Sequence, residues 1–301
     1  MKLCAAIFLL AFTAVVAFGQ QVPDPNFDVK IARPAYAKNA PRVLFDEAHH
    51  NFHTTDGRYQ PFAALITNDG CRVTPNKQPF SAETLKGYDV LVIANALGAP
   101  QMNTPEASQP AFTEAECAAV REWVKTGGAL LLIADHAPMG AAAERLSQQF
   151  GVEMSKGYTS DPEHTPKELN NPGFIQFNRA NGLLGDHAIT RGRNADERLN
   201  HVQSFTGQSL KGPADSTAFL KLADSAVDVD RATNKRTSAA GRAQGVALIF
   251  GKGRVVVMGE AAMLSAQLAG PEKRAMGMNQ PGLDNKQLVL NLMHWLTGLL
   301  N

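Results

Sequence analysis

From Arg42 onward the hydrophobic and polar positions follow two periods. Val43-Leu44-Phe45, Val90-Leu91-Val92-Ile93 and the Leu/Ile-rich stretch 129–134 are short and apolar throughout, the pattern of strands covered on both faces. Between them, residues 59–67 place Phe62, Leu65 and Ile66 on one helical face before Asp69-Gly70 stops the helix, and an extended piece follows at 71–74. The helix predicted over 114–126 is marked at both ends. Thr113 with Glu116 reads as a capping box, Val120, Trp123 and Val124 form its apolar stripe, and Gly127-Gly128 supplies a left-handed stop. A further helix ends at Phe150-Gly151. Apolar strands alternating with helices predict an α/β chain with a mostly parallel sheet and helices on both faces.

Order weakens between 151 and 244, where Asn, Pro, Gly and Asp are frequent and Phe174-Ile175-Gln176-Phe177 and residues 218–222 are weak strand signals. This stretch reads as an irregular insertion. Order returns with 246–250, a turn at Gly251-Lys252-Gly253 and 254–258, a late β-hairpin, and then a closing helix from Asp284 with Leu288, Leu292, Trp295, Leu296 and Leu299 on one face. At the front, Met1-Lys2 precedes an apolar run over 3–18 that ends at Ala17-Phe18-Gly19, with small residues at the positions signal peptidase prefers. Residues 1–19 therefore read as a signal peptide of an exported, periplasmic or extracellular protein, the alternative being an uncleaved anchor. Residues 20–41 read as an extended, proline-containing lead-in and 42–301 as the folded domain.

Composition narrows the function classes. With 29 basic and 28 acidic residues the formal charge is +1, and 44% of residues are hydrophobic, which excludes disordered acidic or histone-like basic chains and predicts no nucleic-acid partner. After the signal no stretch reads as membrane-inserting. Cys71 and Cys117 could pair in an oxidising compartment or remain two buried thiols, and neither has the surroundings of a nucleophile. No Gly-x-Ser-x-Gly elbow is present, and after the strand at 129–134, where such an elbow would fall, stand Asp135 and His136.

In an open parallel sheet, ligands bind beyond the carboxyl ends of the strands. The residues expected there are unusually polar. Asp46, Glu47, His49, His50 and His53 follow the first strand, Asn95 a later one, Asp135 and His136 the next, and Glu260 the hairpin. His49 and His53 have the i, i+4 spacing that puts two imidazoles on one helical face, and with Asp135 and His136 they could bind a divalent metal, zinc by ligand type, with Glu47 or Glu260 as the general base of a hydrolase. The same residues, with Arg58 and His201 from neighbouring loops, could instead hold a small polar ligand without metal, or merely tie the loops to one another.

Phe45-Asp46-Glu47-Ala48-His49, Asn51-Phe52-His53-Thr54, Gly57-Arg58-Tyr59, Asp89 to Asn95 and Gly253 to Glu260 together resemble uncharacterised secreted members of the class I glutamine amidotransferase-like superfamily. The nearest groups are the domain of unknown function 4350 proteins and the auxiliary domains of gliding motility and intraflagellar transport. The resemblance, over roughly 42–301, implies a flavodoxin-like sheet. It does not imply amidotransferase chemistry, because Asp135-His136 stands where the catalytic cysteine is expected. The resulting expectation is an exported protein with a His/Asp/Glu-rich pocket at the carboxyl edge of its sheet, binding a small polar ligand, a carbohydrate among the candidates. A zinc-type hydrolase using that pocket, and an envelope module that binds a protein partner through the 151–244 loops, are the alternatives.

Overall fold

The computed structural model describes residues 21–301, so the proposed signal peptide lies outside the described residues. Nine strands form the main sheet: β1 (Arg42–Asp46), β2 (Arg72–Asn76), β3 (Val90–Ala94), β4 (Ala129–Ile133), β5 (Glu153–Met154), β6 (Leu210–Lys211), β7 (Thr217–Lys221), β8 (Ala243–Phe250) and β9 (Gly253–Met258). Their order is β2-β1-β3-β4-β9-β8-β6-β5, with β7 also paired to β8. The first five in that order run parallel, and β8, β6 and β5 continue the sheet antiparallel. The reversal between β1 and β3 is the switch of a flavodoxin-like sheet, as expected. The late hairpin is more than an appendage: its second strand, β9, is the fifth parallel strand, and β4 pairs with it from Ala129↔Arg254 to Ile133↔Met258.

Alternate residues of each apolar strand face opposite ways, which explains why the runs carry no polar positions. Val43, Phe45, Val92, Leu131 and Val256 pack with helices α1 (Gln60–Asn68) and α4 (Asn285–Leu296), whereas Leu44, Leu91, Leu130 and Val257 pack with α2 (Glu114–Lys125) and α3 (Met139–Gln148). Helix α2 starts as its sequence dictates: Glu116 N donates to Thr113 Oγ1 at 3.2 Å, Thr113 N donates to Glu116 Oε2 at 3.0 Å, and Gly127 takes the left-handed φ of +129° after the helix. Cys71 belongs to the first packed layer and Cys117 to the second, and both are free.

Two segments are more ordered than their composition suggested. Residues 151–244 supply β5, β6 and β7, and a three-stranded sheet built from Tyr158–Ser160, Val227–Asp230 and Lys235–Ser238. The lead-in is docked: Val22–Pro23 pairs with Ala266–Ala269, Tyr36 Oη lies 2.5 Å from Thr297 Oγ1, and Ala35 N donates to Asp69 Oδ1 at 2.8 Å. Asp69 in turn accepts from His294 Nε2 at 2.7 Å, both side chains buried. Among the described residues no helix is long and apolar enough to cross a membrane.

Candidate functional site

The carboxyl ends of β1, β3, β4 and β9 bring Asp46, Asn95, Asp135 and Glu260 to one edge of the sheet, where all four are buried. They divide into two groups. In the first, His49 Nδ1 lies 2.9 Å from both oxygens of Asp46, and its Nε2 lies 2.8 Å from Glu116 Oε1. Asp46 also accepts from Asn51 Nδ2 at 2.9 Å and Ala48 N at 3.2 Å, and Glu116 from Thr113 Oγ1 at 2.8 Å and Phe80 N at 3.1 Å. Burial alone would lower the His49 pKa, but the Asp46 and Glu116 carboxylates outweigh it and raise it above the ordinary value. Glu116 is pushed up by burial and pulled down further by its Thr113, His49 and Phe80 hydrogen bonds, to about 2. With both ring nitrogens facing carboxylates, His49 acts as a brace joining β1 to the start of α2, and no lone pair is left for a metal.

The second group is an acid pair. Glu260 Oε1 accepts from Ala262 N at 2.8 Å and Oε2 from Met263 N at 2.7 Å. Asp135 accepts from His136 N at 2.8 Å, and its own N–H donates to Asn95 Oδ1 at 2.9 Å. Asn95 sits at φ +52°, a left-handed conformation asparagine tolerates, and its carbonyl accepts from Phe52 N at 2.9 Å, so one residue joins three loops. Burial, resisted by hydrogen bonds from His136, Ala261 and Asn95, raises Asp135 to about 7. Burial and the Asp135 charge push Glu260 well above the carboxylate range. Two buried carboxylates that repel each other retain a proton near neutrality.

The remaining candidates take other places. His53 stacks on Tyr59 with ring centroids 4.7 Å apart, its Nδ1 is buried without a partner, and burial with the nearby Arg58 charge lowers its pKa to about 3, so the ring is neutral. Tyr59 is fully buried and donates to the Ala261 carbonyl at 2.7 Å. His136 stacks on Tyr158 at 4.3 Å with its Nδ1 2.8 Å from the Ala137 carbonyl. Glu47 is spent on the next loop, accepting from Thr55 N at 2.8 Å and Thr55 Oγ1 at 2.7 Å. Arg58 turns to the lead-in, donating to the Gln21 carbonyl at 3.1 Å and lying over the Phe52 ring at 4.4 Å. His201 N donates to Asp284 Oδ2 at 2.9 Å, and its buried Nε2 has no partner. Among the described residues no three His, Cys, Asp or Glu side chains are grouped to hold one metal ion.

Sequence reasoning missed Glu116, whose only signal was the capping box. It also missed Gln208, which anchors the insertion to the site by donating to the Ala134 and Asp135 carbonyls at 2.8 and 2.9 Å. A depression of about 700 Å³ sits away from this edge, at the amino ends of the strands beside Arg42, Asp89 and Trp123.

No protein-family model matches the chain, and no curated protein does. Among solved structures, the mmIFT52 N-terminal domain aligns with 85% of this chain and 97% of its own length at 16% identity and a TM-score of 0.58. A ThuA-like protein from Bacteroides uniformis (87% and 94% covered, 13% identity) and a GMP synthase-type protein from Thermoplasma acidophilum (85% and 94%, 12%) both align at 0.42, too distant to carry an argument. At such identities the likeness speaks for architecture alone: the chain has a flavodoxin-type α/β fold, shared with the mmIFT52 N-terminal domain over nearly the whole of that domain.

Proposed function

We propose that the protein is exported and that the carboxyl edge of its sheet binds a small polar, hydroxyl-rich ligand of the carbohydrate class, with Asp135 as the hydrogen-bonding group at the mouth. One observation carries this reading: of the three buried acids Asp46, Asp135 and Glu260 at this edge, Asp135 is the least enclosed, 9% exposed where the other two are 0%. Its pKa of about 7 supports the reading, because a carboxyl balanced between its two forms both donates to and accepts from a sugar hydroxyl. Asn95 and the backbone N–H groups of His136 and Ala261 fix the carboxyl's position. Ligand entry requires the covering segment around Gln208 to yield, since the cluster is closed. The apolar run over 3–18 supports export.

Isothermal titration calorimetry with a panel of mono- and disaccharides and uronic acids, at pH 6 and pH 8, tests the site, alongside an NMR titration of the Asp135 carboxyl. The expected result is Asp135 titrating near neutrality, binding that changes across that range, and at least tenfold weaker binding by Asp135→Asn. An ordinary carboxylate pKa, or unchanged binding by Asp135→Asn, overturns the reading. Fractionation of cells expressing the full chain tests export, expecting a mature form that lacks 1–19; retention in the cytoplasm overturns it.

A further inference from the structure

Four guanidinium groups, those of Arg179, Arg191, Arg193 and Arg198, border one depression of about 490 Å³, with Asp186 the single acid in its wall. Two of the four are neutralised. Arg191 Nη1 lies 2.8 Å from Asp186 Oδ1, and Arg193 Nε donates to the two Glu197 oxygens at 2.8 and 2.9 Å. The other two are not. Arg179 donates only to neutral carbonyls, Nε to Leu199 at 2.9 Å and Nη2 to Thr190 at 2.8 Å, which fixes its plane without cancelling its charge and leaves Nη1 free. Arg198 is exposed, and among the described residues its guanidinium has no carboxylate partner.

The support beneath these groups is rigid. Gly192 has φ +65°, and a Cβ there would lie 2.5 Å from Glu197 Cβ and 2.6 Å from the Glu197 carbonyl oxygen, so the loop folds tightly enough to set Arg191, Arg193 and Arg198 on one rim. Asn291 of α4 pins the same loop to the core by donating to the Ile189 and Glu197 carbonyls, each at 2.8 Å. Burial, and then the Arg198 charge, lower the Arg179 pKa, with the Asp186 charge opposing them, which puts the two guanidiniums within Coulombic reach of each other. Guanidiniums present paired N–H groups matched to a tetrahedral oxyanion, and two of them beside one depression balance two negative charges.

We propose that this depression is a binding site for a small doubly charged oxyanion of the phosphate class, held between Arg179 and Arg198. The inference stands apart from the reading of the carboxyl edge. Calorimetric titration of the mature chain with inorganic phosphate and with pyrophosphate, against sodium chloride of equal ionic strength, tests it. Arg198→Ala is the cleaner variant, because the Arg198 side chain holds no other part of the fold, and its urea midpoint is expected to match wild type. Binding of at least one probe above the chloride control, weakened at least tenfold by Arg198→Ala, is the expected outcome. No binding above chloride, or undiminished binding by both Arg198→Ala and Arg179→Lys, overturns the proposal. Tighter, Arg198-dependent binding of heparin or single-stranded RNA than of pyrophosphate overturns it in favour of an extended polyanion.

Discussion

Replacing Glu116 by glutamine isolates the charge of the brace that joins β1 to α2. The variant keeps the shape of the side chain and a residue type accepted in a capping box. It removes the carboxylate that faces Thr113 N, Thr113 Oγ1, Phe80 N and His49 Nε2, four donors within 3.1 Å, and turns an amide N–H₂ toward some of them. Holding the Glu116 carboxyl at about 2 instead of its ordinary 4.5 corresponds to about 3 kcal/mol at pH 7, and the side chain is only 9% exposed, so little of this is screened. The sign follows from the direction: a lowered carboxyl pKa stabilises above the unfolded value and loses that contribution as pH falls toward the folded one. The difference between wild type and Glu116→Gln is therefore expected to be about 3 kcal/mol at pH 7 and to shrink to about 1.4 kcal/mol at pH 3. His49, whose pKa is raised, contributes in the opposite window, present below its ordinary value and lost as pH rises through the raised one, so it does not distort the acid limb. Urea unfolding at both pH values measures the difference without adding salt. A loss below about 1 kcal/mol at pH 7, or a loss that does not change between pH 7 and pH 3, refutes the reasoning.

Asp135→Asn should stabilise the chain at alkaline pH. A carboxyl raised to about 7 makes folding weaken as pH climbs from 3.8 to 7, so the variant is expected to be more stable than wild type at pH 8, by about 4 kcal/mol at most, and to melt higher there in a thermal scan, with the gain gone below pH 4. Asp69→Ala removes one partner of the buried His294 pair and the acceptor of Ala35 N, at a cost of roughly 3–5 kcal/mol. Limited proteolysis should then cut the chain before residue 42, which the wild type resists. Burial pushes the Cys71 thiol up to about 12 and Cys117 to about 11, so both should resist Ellman's reagent until denaturant is added, and non-reducing electrophoresis should show no crosslink between them.

The parallel half of the sheet was legible because its strands are buried on both faces, which leaves continuous apolar runs such as 129–134, and because Thr113, Glu116 and Gly127 mark α2 locally. The strands inside 151–244 were hard to read because they are two to five residues long and paired with distant partners, as in Leu210↔Met154. The convergence of Asp46, Asn95, Asp135 and Glu260 followed from topology, since each stands after a parallel strand. What each residue does there did not follow. His49 looked like a ligand on spacing alone, and only the approach of Glu116 from another element, 67 positions away, makes it a brace. The likeness to intraflagellar-transport domains holds for the fold, where strand order decides, and such a likeness is silent about chemistry.

The placement of β9 has a consequence for how the chain is made. Strand β4 lies in the middle of the finished sheet, yet one of its neighbours is synthesised about 125 residues later. Until that strand emerges, Ala129–Ile133 is an apolar edge with open backbone groups, the kind of template on which chains aggregate. Fragments that stop before Gly253 should therefore be insoluble, whereas a chain cut between β7 and β8 and co-expressed as two pieces should assemble, because the second piece brings β9 with it. Export would sharpen the requirement, since a chain threaded through a membrane in its amino-to-carboxyl order presents that edge alone for most of its passage.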